Sequence, residues 1–273
     1  MANFRTLITV PELADIIGDV RVFDCRFSLA DPDAGRAAYD AEHLPGALHA
    51  DLDKNLSSAI TPETGRHPLP DRGTFAETVR DWGIRNHDQV VIYDDAPGAQ
   101  SARLWWMLRW LGHANVAVLE GGFPAWQAAG QPVTTDVPTF ERSGFEASEP
   151  ITRTVTAADL PSETHCVIDA RDRARFRGEV EPIDPVAGHI PGAVCRPFTD
   201  NVSDGRFADT SQIASDFNAL TGGRDVICYC GSGVTAAHNI LAMVHAGLPE
   251  PALYPGSWSE WIRDGNRPVA TGD

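Results

Sequence analysis

Three short apolar runs recur in the first half of the chain: VRVFD at 20–24, QVVIYD at 89–94 and VAVLEG at 116–121. Each is bounded by polar residues or glycine and lacks polar–apolar alternation, the pattern of a strand buried on both faces. Segments with helical spacing lie between them. VPELADIIG at 10–18 ends in a glycine. TFAETVRDWG at 74–83 offers Thr74 as an N-cap with Glu77 three residues on, a capping box. SARLWWMLRWLG at 101–112 is strongly apolar, its tryptophans and Met107 reading as core, and stops at Gly112. The second half repeats the alternation, with strands VIDA at 167–170, VICYC at 226–230 and ALYPG at 252–256. Its helices are TAADL at 156–160, SQIASDFNALTG at 211–222 and GVTAAHNILAMVHAG at 233–247. Strand–helix alternation predicts an α/β fold with mainly parallel sheets covered by helices on both faces.

The two halves also match segment by segment. VRVFDCR at 20–26 pairs with CVIDAR at 166–171, and EHLPGA at 42–47 with GHIPGA at 188–193. DQVVIYDD at 88–95 pairs with RDVICYCG at 224–231, and LEGGFPAW at 119–126 with YPGSWSEW at 254–261. The order is preserved while the offset drifts from about 145 to about 135 residues, as unequal loops would produce. We therefore expect two tandem copies of one domain, at 1–135 and 151–273. The Pro-, Thr-, Ser- and Glu-rich stretch 136–150 reads as a linker between them.

Composition narrows the partners. The 273 residues carry 22 basic and 38 acidic side chains, a formal charge of −16. So acidic a surface repels nucleic acid and anionic membranes, and an anionic substrate would need local positive potential. No run approaches the roughly 20 apolar residues of a membrane span. The first twenty residues meet Pro11, Glu12 and Asp15 too early for a signal peptide, so a cytoplasmic location is expected. Five cysteines (25, 166, 195, 228 and 230) without a CxxC pair argue against a disulfide framework and a structural zinc site. No metal or cofactor is expected.

Chemistry concentrates at one strand-to-helix turn. The run VICYC ends at Cys230, and Gly231-Ser232-Gly233-Val234-Thr235 leads into a helix. Two glycines and a serine let successive backbone N–H groups form an anion-binding nest, and the helix dipole adds to it. Such surroundings lower a thiol's pKa and suit a thiolate or persulfide anion. The bland alternative is a buried strand-end cysteine beside a glycine turn. Cys228, two residues earlier on the same strand face, reads as an inert core thiol. The first copy has Asp94 where the second has Cys230, so at this turn only the second copy can do thiol chemistry.

With GHIPGA, CGSGVTA and SWSEW in this order, the chain resembles the two-domain rhodanese-like sulfurtransferases over essentially its whole length. The CGSGVTA loop is similar to that of the 3-mercaptopyruvate sulfurtransferases. Thiosulfate-preferring relatives carry two basic residues where Gly231 and Ser232 stand here. The resemblance implies a ping-pong reaction through a persulfide on Cys230, from a small-molecule sulfur donor to cyanide, a small thiol or thioredoxin. It implies that Ser232 binds substrate or relays a proton. Asp53 in ADLDKN and His67 in GRHPLP are implied as acid–base partners, His67 between Ser232 and Asp53, in a site that spans the two copies. Arg175 would bind the donor's carboxylate, alongside the loop residues Gly231, Gly233, Val234 and Thr235. A second substrate arginine is expected a few residues later, but Ile183 stands there, which leaves a thiosulfate:cyanide sulfurtransferase as the alternative.

A non-enzymatic module of the same kind would be favoured by a missing cysteine, and Cys230 is present. A phosphatase sharing this fold would need an arginine six positions after the cysteine, where Ala236 lies. A cysteine hydrolase would need a base to activate water. His43 and His189, which match across the copies, read as turn fasteners, and Trp258 and Trp261 as packing beneath the loop.

Overall fold

The computed structural model describes residues 3–95, 97–160 and 163–273. They form two compact units: 1–58 with 70–151, and 59–69 with 152–273. No described helix is long and apolar enough to cross a membrane.

The first unit holds β1 (Leu7–Ile8), α1 (Val10–Ile16), β2 (Arg21–Asp24), α2 (Ala34–Ala41), β3 (Ala47–His49), α3 (Arg72–Asp81), β4 (Val90–Tyr93), α4 (Ser101–Trp110), β5 (Val116–Leu119) and α5 (Gly122–Ala128). Its sheet runs β1-β5-β4-β2-β3, with every pairing parallel. The runs read as doubly buried strands are so: all four residues of β4 and of β5 are buried. Thr9 and Glu12 form the capping box of α1. The cap of α3 is Asp71 rather than Thr74. The Asp71 carboxylate accepts from the Gly73 and Thr74 amides, so the helix begins one residue beyond it. In α4, Trp105, Trp106 and Met107 are fully buried.

The stretch 136–150 forms no helix or strand, yet it is pinned to this unit. The Ser143 amide donates to the Arg80 carbonyl, Arg80 Nε to the Phe145 carbonyl at 2.8 Å, and the Ser148 amide to the Leu111 carbonyl. Phe145 is buried. A composition that lacks amphipathic period can thus still pack, provided its backbone groups find partners.

The second unit repeats the plan with β6 (Arg153–Thr154), β7 (His165–Asp169), α6 (Arg173–Arg177), β8 (Val194–Cys195), a hairpin of β9 (Val202–Ser203) and β10 (Arg206–Phe207), α7 (Thr210–Thr221), β11 (Asp225–Tyr229), α8 (Thr235–His245), β12 (Ala252–Leu253) and α9 (Ser257–Trp261). Its parallel sheet runs β6-β12-β11-β7-β8. TAADL supplies only one 3-10 turn, Ala157–Asp159. In this order β7 leads to one side of the sheet and β11 to the other. The carboxyl ends of β7 and β11 therefore flank a topological switch point, where open α/β sheets bind ligands.

The same devices appear in both copies. Asp24 and Arg26 pair as Asp169 and Arg171 do, buried in each case. The Tyr93 hydroxyl accepts from the Leu44 amide, and the Tyr229 hydroxyl from the Ile190 amide. His43 stacks on Tyr39 and its Nδ1 meets the Tyr39 carbonyl; His189 does the same with Phe176. Both histidines thus fasten the turns of the matching HLPGA and HIPGA segments. Trp258 and Trp261 lie in the second unit's core.

At the end of β4 the first copy closes its own anion cradle. Asp94, 1 % exposed, accepts hydrogen bonds from the Gly98, Gln100 and Ser101 amides at 3.1, 2.9 and 2.9 Å. Burial nevertheless pushes its carboxyl up to about 6, against those hydrogen bonds. A carboxyl raised on folding binds more protons in the folded state, so it stabilises at low pH and that stability is lost as pH rises through about 6. Compared with Asp94→Asn, the parent should lose about 1 kcal/mol of relative stability between pH 5 and 7. Urea unfolding of both proteins at the two pH values checks this; a pH-independent difference would contradict it.

Candidate active site

Cys230 follows directly on β11 and is 2 % exposed. Its Sγ accepts from the Gly233 amide at 3.1 Å, which begins the nest expected of the loop. Gly233 makes this possible with a φ of +79°, a region that side chains avoid. The chain then enters α8, whose first turn points its amides at the loop. Val234 is buried and Thr235 half-buried. Cys228, fully buried, has its thiol pushed up by burial first, then by Cys166 and Cys230, as an inert core thiol would. Cys195, the half-buried thiol, is pushed up to about 12, chiefly by burial.

A residue not singled out in the sequence sits beneath Cys230. Ser257 has a φ of +55° where the first copy places Gly122 at +58°. Its hydroxyl accepts from the Cys230 amide at 3.1 Å and donates to the Tyr254 carbonyl. The Trp258 amide donates to the Cys230 carbonyl. A serine in the left-handed region costs on the order of 1 kcal/mol, and such strain gathers at functional sites.

His67 is carried by 59–69, the segment that belongs to the second unit rather than to the first half in which it lies in sequence. Its Nδ1 is 2.7 Å from Ser232 Oγ, a buried hydrogen bond whose donor depends on the imidazole tautomer. The segment is held closely: the Arg66 amide donates to Ser259 Oγ, and a Cβ on Gly65 would lie 2.5 Å from the Gly256 carbonyl oxygen. Asp53 belongs to the first unit. There its amide donates to the Asp51 carboxylate, and its own carboxyl is raised by burial and by Asp51.

Arg175, on α6, and Arg66 both stand over Gly231. A Cβ on that glycine would lie 3.0 Å from Arg66 Nη2 and 3.7 Å from Arg175 Nη1. Arg66 was invisible in the sequence except as the neighbour of His67. It brings a second guanidinium to the loop although Ile183, 41 % exposed, is no arginine. The two guanidiniums meet at Asp184, which accepts from Arg66 Nη1 at 2.5 Å and from Arg175 Nη2 at 3.1 Å. Glu181 accepts from Arg175 Nε and Arg171 Nη1 and from the Ile183 and Asp184 amides. Burial opposes its ionisation, but these bonds hold its carboxyl below the ordinary value. Arg66 Nε is buried without a hydrogen-bond partner, a donor left over for an incoming anion.

The arrangement is a thiol that accepts from the Gly233 amide, a hydroxyl–imidazole pair at Ser232 and His67, and two guanidiniums over Gly231. Among the described residues no cluster could hold a metal ion. These parts suit nucleophilic attack on an anionic, sulfur-bearing small molecule.

The comparisons agree with that chemistry. The model of the rhodanese-like domain matches residues 9–129 and 154–264. A Pseudomonas aeruginosa protein named probable 3-mercaptopyruvate sulfurtransferase is 50 % identical, covering 98 % of both chains. A Mycobacterium tuberculosis protein provisionally named thiosulfate sulfurtransferase SseB is 43 % identical over 99 % of both. The crystal structure of SseA, a 3-mercaptopyruvate sulfotransferase of Escherichia coli, superposes with a TM-score of 0.82 at 31 % identity, over 94 % of this chain and all of that one. This chain belongs to the rhodanese-like family and is a two-domain sulfurtransferase, an enzyme.

Proposed function

We propose that the enzyme takes sulfur from 3-mercaptopyruvate and passes it, through a persulfide on Cys230, to a thiophilic acceptor. The observation that carries this reading is the pairing of Ser232 with His67 next to Cys230. Thiosulfate leaves as sulfite and needs no proton at carbon, whereas mercaptopyruvate leaves as an enolate that must be protonated.

In the proposed cycle Arg175 and Arg66 hold the donor's carboxylate. The Cys230 thiolate attacks the donor sulfur. A new S–S bond forms, the C–S bond breaks, and its electron pair passes into the pyruvate enolate. The Ser232–His67 pair delivers the proton that completes pyruvate. The Gly233 amide, with those of Gly231, Val234 and Thr235 around the nest, holds the sulfur anion. The acceptor then attacks the outer sulfur and leaves Cys230 as a thiolate. Asp53 takes the part of carboxylate partner to His67 on the strength of the resemblance alone.

The domain 151–273 is read as catalytic, and 1–135 as a partner silenced by Asp94, with 136–150 joining them. The acceptor is cyanide, a small thiol or thioredoxin, and the enzyme acts in the cytoplasm. No nucleic acid or membrane takes part. Ile183 and the name of the Mycobacterium tuberculosis relative favour the second reading, a thiosulfate:cyanide sulfurtransferase. Catalytic efficiencies on the two donors decide between them. We expect mercaptopyruvate to exceed thiosulfate by at least about tenfold, the worth of one well-placed hydrogen-bonding group. A higher efficiency on thiosulfate would overturn the proposal.

A further inference from the structure

The two arginines over Gly231 belong to an ion-paired cluster of three guanidiniums and three carboxylates. Arg66, Arg171 and Arg175 bring three positive charges, and Asp169, Glu181 and Asp184 three negative ones, each carboxylate within hydrogen-bond distance of at least one guanidinium. Asp169 is committed to buried Arg171, and Glu181 to Arg171 and the Arg175 guanidinium, its Oε1 2.8 Å from Arg175 Nη2. Asp184 differs: it bridges the two guanidiniums at the loop, and with Arg66 it also lines an open cavity of about 350 Å³ whose wall includes Ile183, Pro185, Ile262 and Arg263. An anion held by the Arg66 and Arg175 guanidiniums over Gly231 meets fixed donors, with the Asp184 carboxylate between them offsetting their positive charge.

We infer that Asp184 is a specificity-determining residue: it neutralises the two-arginine clamp over Gly231 so that the site accepts singly charged donors and discriminates against doubly charged ones. The inference rests on the proposed function in taking Arg66 and Arg175 as the donor clamp. Its reason is general. A neutral array of N–H donors satisfies one carboxylate, but a second negative charge is left against the Asp184 carboxylate, a like charge in a poorly solvated place. The donor 3-mercaptopyruvate carries one carboxylate, and thiosulfate carries two charges. The preference would then come from a repulsive group as much as from the absence of basic side chains at Gly231 and Ser232.

The test uses Asp184→Asn, which keeps the shape and removes the charge. Sulfate and methanesulfonate, nearly alike in shape but different by one charge, serve as competitive inhibitors of the purified enzyme. We expect the substitution to tighten sulfate at least tenfold relative to methanesulfonate and to raise thiosulfate efficiency relative to mercaptopyruvate by a similar factor. Inhibition constants that move together, or a sulfate-to-methanesulfonate ratio within threefold of the parent's, overturn the inference, because a purely structural role would weaken both anions alike. Should Asp184→Asn not fold, the parent alone decides. Methanesulfonate binding at least as tightly as sulfate supports the role, and sulfate binding tenfold tighter contradicts it. The inhibitor comparison does not depend on which donor the parent prefers, so failure of the donor assignment is seen separately in the parent's two efficiencies.

Discussion

Replacing Cys230 by serine is expected to lower sulfur transfer from either donor by on the order of 10⁴-fold or more, because a hydroxyl can neither displace nor carry the sulfane sulfur. The fold itself should survive. Cys230 lies at a strand end with its amide held by Ser257 and its carbonyl by Trp258, and these backbone bonds do not need the sulfur. Cys228→Ser makes the informative contrast. That thiol is fully buried and held protonated by burial, so its loss costs stability but removes no catalytic group. Steady-state rates of both variants, at equal folded fraction by circular dichroism, check the pair. Substantial residual transfer by Cys230→Ser would remove the nucleophile assignment.

The second large effect is asymmetric. His67→Ala should lower turnover of 3-mercaptopyruvate by on the order of 10²–10³-fold while lowering that of thiosulfate less than about tenfold. The reason lies in the leaving groups: the enolate needs a proton that Ser232, 2.7 Å from His67, is placed to relay, and sulfite does not. Equal losses on both donors would show that His67 merely packs the 59–69 segment against the loop. The relay would then have to be sought elsewhere.

Much of this architecture could be read from pattern alone. The doubly buried runs at 90–93 and 116–119 became central strands, and the ordered matches between halves became two sheets of the same strand order. What pattern could not supply falls into two kinds. Short helices such as Ala34–Ala41, Arg173–Arg177 and Ser257–Trp261 run for 8, 5 and 5 residues, too few for a period to emerge. The cap of the third helix went to Asp71 instead of Thr74 because two cap-competent residues lie within one turn.

The site was legible where its residues are local. Cys230 and its loop form one contiguous stretch. Arg66, Asp184 and Ser257 were not legible, because each matters only through a partner distant in sequence: Arg66 over Gly231, Asp184 between two arginines, and Ser257 under the Cys230 amide. His67 was found by resemblance in the first half of the sequence, and nothing in that sequence shows that 59–69 packs with the second unit.

The central claim, that Cys230 carries the sulfur, is tested most directly by the mass of the enzyme after exposure to 3-mercaptopyruvate without an acceptor. Peptide mapping should find one added sulfur atom on Cys230, lost on addition of cyanide. An added sulfur on Cys228 or Cys195, or an unmodified Cys230 in an enzyme that turns over, would contradict it.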